Sequence, residues 1–401
     1  MMKAIILFLM FLLSTSSWAS YNSIHLVITQ DDMSKYRQKA ESYDFSNSQI
    51  VIQGERLSVK KLATRGQTSI RAPRRSFSVK LEEKITLNNL VNGKVEQFKT
   101  KDFKLVNMWE DNGYVTAQLG YNFFREFDLY KTRTTYAEVF INDVSQGLYL
   151  VVDNPEVYAQ KEAKAECFIR RGYKKNFEIK FPKIEDDKEK YTDCEEAFKW
   201  SMIPSKHLKG EALYNYLSKV MNLKAYYKWL MINTLLESGD YSDEVYFYAV
   251  KDFYSPTYLY FEIMAWDPDD IFQKPHLSIQ NILRSKRLKQ TLLMSLEIHL
   301  ERLIDRDAFL YAKFAEDLIK FLETEVTDEF IDKLIADTRN KIGPYLGNDR
   351  IKEMSKLDRL DESIMETGYT TEYVDNLLSQ YATRIKTRKQ TLLIKAQNIL
   401  K

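Results

Sequence analysis

The chain has 401 residues, with 59 Lys and Arg against 57 Asp and Glu and a net charge of +2. So even a balance argues against nucleic acid as the main partner, because binding to a phosphate backbone shows as a strong basic excess. The length supports one large domain or two ordinary ones.

At the N-terminus Lys3 supplies a short positive head, Ala4 to Leu13 is an unbroken apolar run, and Ser17-Trp18-Ala19 offers small residues where a signal peptidase reads them. Residues 1–19 are therefore predicted to be a cleaved signal peptide. The apolar run falls short of the roughly 20 residues a membrane span needs, and no later segment comes closer. The expectation is an exported chain without a transmembrane span after cleavage, periplasmic, cell-surface or secreted.

Next come strand patterns: Ile24 to Thr29, a pair around Gly54 within Ile50 to Leu57, Phe77 to Leu81, and Phe103 to Trp109. Val115 to Phe127 has helical spacing, with Leu119, Phe123 and Phe127 on one face. Tyr136 to Asp153 reads as a hairpin turning at Asn142-Asp143. Beyond a charged stretch at Lys183 to Glu196, Leu213 to Val220 and Ala225 to Leu236 are predicted helices. A second hairpin follows, Val245 to Val250 and Tyr258 to Ala265, with Ser255-Pro256 at its turn. Residues 285–401 read almost entirely as amphipathic helix, for example Leu288 to Ile304 and Ala308 to Leu322. The expected fold class is α+β, with a core over 20–284 and a helical region over 285–401 packed on it. The two cysteines, Cys167 and Cys194, can bridge in an oxidising compartment or stand as separate buried thiols.

The sequence contains no G-x-x-x-x-G-K-[ST], G-x-G-x-x-G or G-x-S-x-G motif, and its four histidines lack zinc-ligand spacing. What remains is carboxylates and a basic cluster. Asp267 and Asp269 directly follow an apolar strand, where two carboxylates at i and i+2 can share a hard cation such as Mg²⁺. An EF-hand on these residues fails, because Phe272 and Ser278 occupy its glycine and glutamate positions. The competing reading is an acidic turn capping a helix. A second acidic island, Gly239 to Glu244, precedes the strand at Val245. The basic cluster runs through Arg65, Arg71, Arg74, Arg75 and Lys80, and it suits either phosphate oxygens or a solvated strand edge.

These segments in order resemble the CotH-type spore-coat protein kinases: Thr64-Arg65-Gly66-Gln67-Thr68-Ser69, Pro73 to Lys80, Glu138 to Tyr149, Gly239-Asp240, and Ala265-Trp266-Asp267-Pro268-Asp269. The resemblance runs from about Ile50 to Phe272 and implies an atypical protein-kinase-like core that transfers phosphoryl groups from ATP to protein Ser or Thr, with Mg²⁺ or Mn²⁺. It casts Asp240 as catalytic, Asp267 with Asp269 as metal-binding, and Arg65, Lys80 and Asp153 as nucleotide contacts. Departures lie at Glu244-Val245, where the family pattern has a metal-holding Asn, and at Ala265, Arg74-Arg75 and Asn142-Asp143. An arginine the family carries near Val115 to Ala117 is missing. An alternative is a catalytically degenerate relative that binds a protein or surface polymer; a third is an enzyme acting on nucleotides or sugar phosphates.

Overall fold

The computed structural model describes residues 21–401 apart from 39–41, 46, 67–71, 173–175, 203–206, 240, 242–243, 252–258, 273–290, 295–297 and 359–366. The signal-peptide residues, Asp240 and the Ser255-Pro256 turn lie outside the described residues. The architecture is α+β, and it divides into two compact units, each assembled from separated stretches of chain. The first comprises residues 1–118, 132–154 and 335–380, and the second 119–131, 155–334 and 381–401.

The first unit is built on a closed barrel of seven strands: β1 (Ser23–Val27), β2 (Gln49–Ile52), β3 (Glu55–Arg65), β4 (Ser76–Val91), β5 (Lys94–Val106), β6 (Thr134–Ile141) and β7 (Val144–Asp153). They close in the order β1-β2-β3-β4-β5-β7-β6. Neighbours are antiparallel except at the seam, where β1 lies parallel to β6 with Ile24 opposite Val139. Three tight turns join consecutive strands, and each places two residues at positive φ: Gln53-Gly54, Asn92-Gly93 and Asn142-Asp143. Two successive left-handed residues match the right-handed twist of the flanking strands, and Asn, Asp and Gly reach that conformation at low cost. Alternating residues fill the interior, among them Ile24, Leu26, Leu62, Phe77, Val79, Leu81, Phe103, Leu105, Val139 and Tyr149.

Two polar anchors fix this barrel. Asn22 donates its side-chain amide to the Tyr136 carbonyl at 2.9 Å and accepts from the Asn88 N–H at 2.9 Å. The second anchor is Arg74, whose side chain and that of Asp358 are each 1% exposed. Its guanidinium forks onto Asp358 at 2.8, 2.7 and 2.6 Å. The remaining donors reach the carbonyls of Gln146, Leu148 and Asn107, and the Tyr114 hydroxyl. Nearby, Asp111 caps the helix at Thr116–Glu126 by accepting the N–H groups of Thr116 and Ala117 at 2.8 Å each. Burial pushes the Asp111 carboxyl up to about 6, against the lowering effect of those same N–H groups.

The second unit holds a four-stranded antiparallel sheet in the order β11-β10-β8-β9: β8 (Cys167–Arg171), β9 (Phe177–Phe181), β10 (Val245–Lys251) and β11 (Leu259–Ala265). Helices surround it, including Lys188–Met202, Gly210–Val220, Leu223–Leu235, His299–Arg306 and Ala308–Lys320. Cys167 opens β8 and is bridged to Cys194 on the helix Lys188–Met202, with Cα atoms 5.8 Å apart. Under the sheet, Arg171 reaches Glu301 at 3.0 Å and the Tyr226 hydroxyl at 2.7 Å, with Glu301 fully buried. Among the described residues no helix is long and apolar enough to cross a membrane.

Candidate functional site

In the second unit the helix Leu223–Leu235 leads into Leu236, Glu237, Ser238 and Gly239, just ahead of Asp240. The Gly239 N–H donates to the Asp270 carbonyl at 2.8 Å, and the Phe272 N–H donates to the Leu236 carbonyl at 2.8 Å. The loop before β10 and the turn after β11 are therefore stitched together by backbone hydrogen bonds. Their strand ends are level too: Val245 pairs with Ala265, and the Trp266 N–H donates to the Glu244 carbonyl at 3.1 Å. The chain on either side of Asp240 thus meets the turn carrying Asp267 and Asp269 at one end of the sheet.

Asp267 itself has φ +42, in the left-handed region that Asp tolerates better than most residues. It is half-buried, Pro268 is buried and Asp269 is exposed. The turn is backed by the helix Thr116–Glu126 through Gly120. A Cβ added at Gly120 would stand 2.6 Å from the Pro268 Cβ and 3.0 Å from its carbonyl oxygen, so only glycine lets the turn sit this close. Next to it, the Tyr121 ring lies 6.5 Å from the Trp266 ring and 4.5 Å from that of Tyr130. Burial pushes the Tyr121 hydroxyl well above its ordinary range, and the charges of Asp267 and Asp269 add to the shift. Sequence reasoning misses both Gly120 and Tyr121. The only signal is a glycine inside a helical pattern, which often marks close packing.

The family departures now have structural readings. Glu244, at the position of the expected Asn, accepts from Arg170 on β8 at 2.9 Å, and the Glu244 side chain is 14% exposed. Ala265, where the family pattern has proline, donates its N–H to the Leu129 carbonyl at 2.7 Å, a bond proline cannot make.

The remaining candidates belong to the first unit. Lys80 lies on the outer face of β4 and is exposed, while Phe77, Val79 and Leu81 on the same strand point into the barrel. Arg65 ends β3 opposite Ser76 and is half-buried. Asp153 ends β7, opposite Phe103, and pairs with Arg133 at 3.1 Å. Arg74 is consumed by Asp358 and its carbonyl partners, so this member of the basic cluster is structural. Lysine, with three donors from a single nitrogen, could not satisfy that set of acceptors.

Among the described residues, no three His, Cys, Asp or Glu side chains gather as a metal-binding group. Mg²⁺ on a nucleotide nonetheless takes only one or two protein carboxylates, with phosphate oxygens and water completing its shell. Asp267 and Asp269 are an all-oxygen donor set of that size, and the chain ahead of Asp240 is tied to the same turn. The residues present therefore fit a hard divalent cation. No curated protein matches the chain significantly. A family model described as CotH kinase protein matches residues 62–392. That match covers most of the sequence and includes both acidic segments, and the chain belongs to the CotH kinase protein family.

Proposed function

We propose that the protein is an exported, Mg²⁺- or Mn²⁺-dependent kinase that transfers the ATP γ-phosphoryl group to Ser or Thr hydroxyls of a protein substrate, on an atypical kinase-like core. The observation that carries this reading is the backbone stitching of the Asp240-bearing loop to the Asp267 turn. Phosphoryl transfer needs one carboxylate to orient the acceptor hydroxyl and another to hold the metal on the phosphates.

In this reading Asp267 and Asp269 hold the cation, which when bound offsets negative charge on the phosphates. Asp240 accepts the proton of the acceptor hydroxyl as its oxygen bonds to the γ-phosphorus and the bond to the ADP oxygen breaks. Gly120 and Trp266 keep the turn in place. Arg65, Lys80 and Asp153 are proposed nucleotide contacts by family likeness, each testable by single substitution. The Cys167–Cys194 disulfide supports export, because such bonds persist in oxidising compartments.

The test is thermal unfolding of the purified protein with ATP and Mg²⁺ or Mn²⁺, beside Asp267→Ala. Binding raises apparent stability by mass action, so a metal-dependent shift that the variant loses supports the reading. A second reading, a non-catalytic binding protein, is favoured by the engagement of Glu244 with Arg170. It takes over if neither nucleotide nor metal moves the unfolding midpoint.

A further inference from the structure

The helix Leu223–Leu235 closes in a turn where the Ser238 N–H returns to the Asn233 carbonyl at 3.0 Å and Glu237 takes φ +50. The left-handed position just past a helix is usually held by glycine or asparagine. Phe272, whose N–H donates to the Leu236 carbonyl, is left-handed too, with φ +63, as is Asp267 in the turn before it. Long or bulky side chains at positive φ cost free energy, and such outliers gather where function over-determines the backbone.

The C-terminal helix Thr371–Ile399 holds both residues, through the part from Tyr381 onward that belongs to the second unit. Arg384 donates to one Glu237 carboxylate oxygen from Nε at 2.8 Å, and its Nη2 lies 2.7 Å from the same oxygen. The Arg384 guanidinium also stands 4.9 Å from the centre of the Phe272 ring, and the Tyr381 ring packs on Phe272 at 4.5 Å. One turn later, Arg388 donates to the Thr234 carbonyl at 3.3 Å and lies 4.0 Å from the other Glu237 oxygen. Like charges at i and i+4 weaken a helix, and the Glu237 carboxylate between these two arginines offsets that repulsion.

Stability does not account for this arrangement. The Arg384 side chain is 46% exposed and that of Glu237 27%, and a solvated ion pair of this kind contributes little to folding. Glycine at 237 would relieve the backbone at small loss. The location accounts for it better, since Glu237 stands three residues before Asp240 and Phe272 five after Asp267. We infer that Arg384 is a positioning residue, a clip between the segment entering the Asp240 loop and the segment leaving the Asp267 turn. It grips the first through the Glu237 carboxylate and the second through the Phe272 ring, beside the Leu236–Phe272 and Gly239–Asp270 backbone bonds. The purpose assigned to the clip rests on the phosphoryl-transfer reading; the clip itself is geometric.

The experiment compares wild type, Arg384→Met, Arg384→Lys, Glu237→Gln and Glu237→Gly by amide hydrogen exchange, urea unfolding and Mg-ATP calorimetry. In Arg384→Met the Gly239 and Phe272 amides should exchange about 3- to 30-fold faster, the effect of one exposed ion pair and one cation–π contact, while amides of β8 and β9 keep their rates. Mg-ATP affinity should fall as well, because the nucleotide must then order both segments itself. Arg384→Lys keeps a cation and should recover part of both effects. Glu237→Gly should unfold in urea no earlier than wild type and still bind Mg-ATP more weakly, a combination that a purely stabilising ion pair does not give. Exchange at the two amides that is unchanged in Arg384→Met, or raised equally throughout the second unit, overturns the inference. So does a wild type that binds Mg-ATP beside variants that bind it equally well. If Arg384→Met does not fold, Glu237→Gln decides on the same readings. A wild type indifferent to Mg-ATP removes the phosphoryl-transfer reading instead, and the clip is then judged by exchange alone.

Discussion

Replacing Gly120 with alanine tests whether the acidic turn is held by close packing. The added methyl would begin 2.6 Å from the Pro268 Cβ and 2.9 Å from its Cγ, where ordinary contact starts at 3.4 Å. Neither atom belongs to a flexible chain end, and the Pro268 carbonyl is close as well, so the helix or the turn must move. Overpacking of this kind costs roughly 1–3 kcal/mol. Alanine recovers about 1 kcal/mol of helix propensity over glycine, so the expected net loss is about 0–2 kcal/mol. The larger effect should fall on binding and turnover, since Pro268 adjoins Asp267, and a misplacement of about 1 Å at a reacting centre can cost on the order of 100-fold. Urea unfolding gives the first quantity and the Mg-ATP-dependent shift the second. A Gly120→Ala protein more stable than wild type, with an unaltered Mg-ATP response, would refute the packing argument.

Arg74→Lys should destabilise the protein by about 3–5 kcal/mol in chemical unfolding, because it leaves Asp358 buried and poorly paired. Loss of the Cys167–Cys194 bridge, by reductant or by paired Ser substitution, should cost about 3 kcal/mol on the chain-entropy account, read as a lower urea midpoint. For Asp111, with its carboxyl raised to about 6, the folded state binds more protons than the unfolded state between roughly pH 4 and 6. Stability from this group is therefore present at low pH and lost as pH rises through that window, by at most about 3 kcal/mol. Asp111→Asn should flatten that part of the stability–pH curve, and an unchanged slope would count against the assignment.

Much of the fold is legible in short-range signals. Turn residues at Gly54 and Asn142-Asp143, the alternation at Phe77 to Leu81, and the helical spacing after Val115 all appear as elements. The hairpin of β4 and β5 is legible only in part, since Glu82-Glu83-Lys84 interrupts the apolar alternation and hides the strand's continuation to Val91. The helix Lys188–Met202 reads as a charged stretch because it buries little beyond Cys194, Phe198, Ser201 and Met202. Long-range partners are out of reach in principle: Arg74 meets Asp358 across 284 positions, and no local pattern encodes that pairing. The candidate site follows the same division. Asp267 and Asp269 are visible as carboxylates at a strand end, whereas the fit of Gly120 against Pro268 is a tertiary contact.

The parallel seam between β1 and β6 bears on how the barrel is assembled. β1 is the first strand of the barrel in chain order, yet its partner residues begin at Glu138, so the seam can form only after that distant strand has been synthesised. Until then both strands present open hydrogen-bonding edges, which are templates for pairing with other chains. Refolding yield should therefore fall as protein concentration rises, while in the closed barrel the β1 and β6 edges are paired to one another and protected.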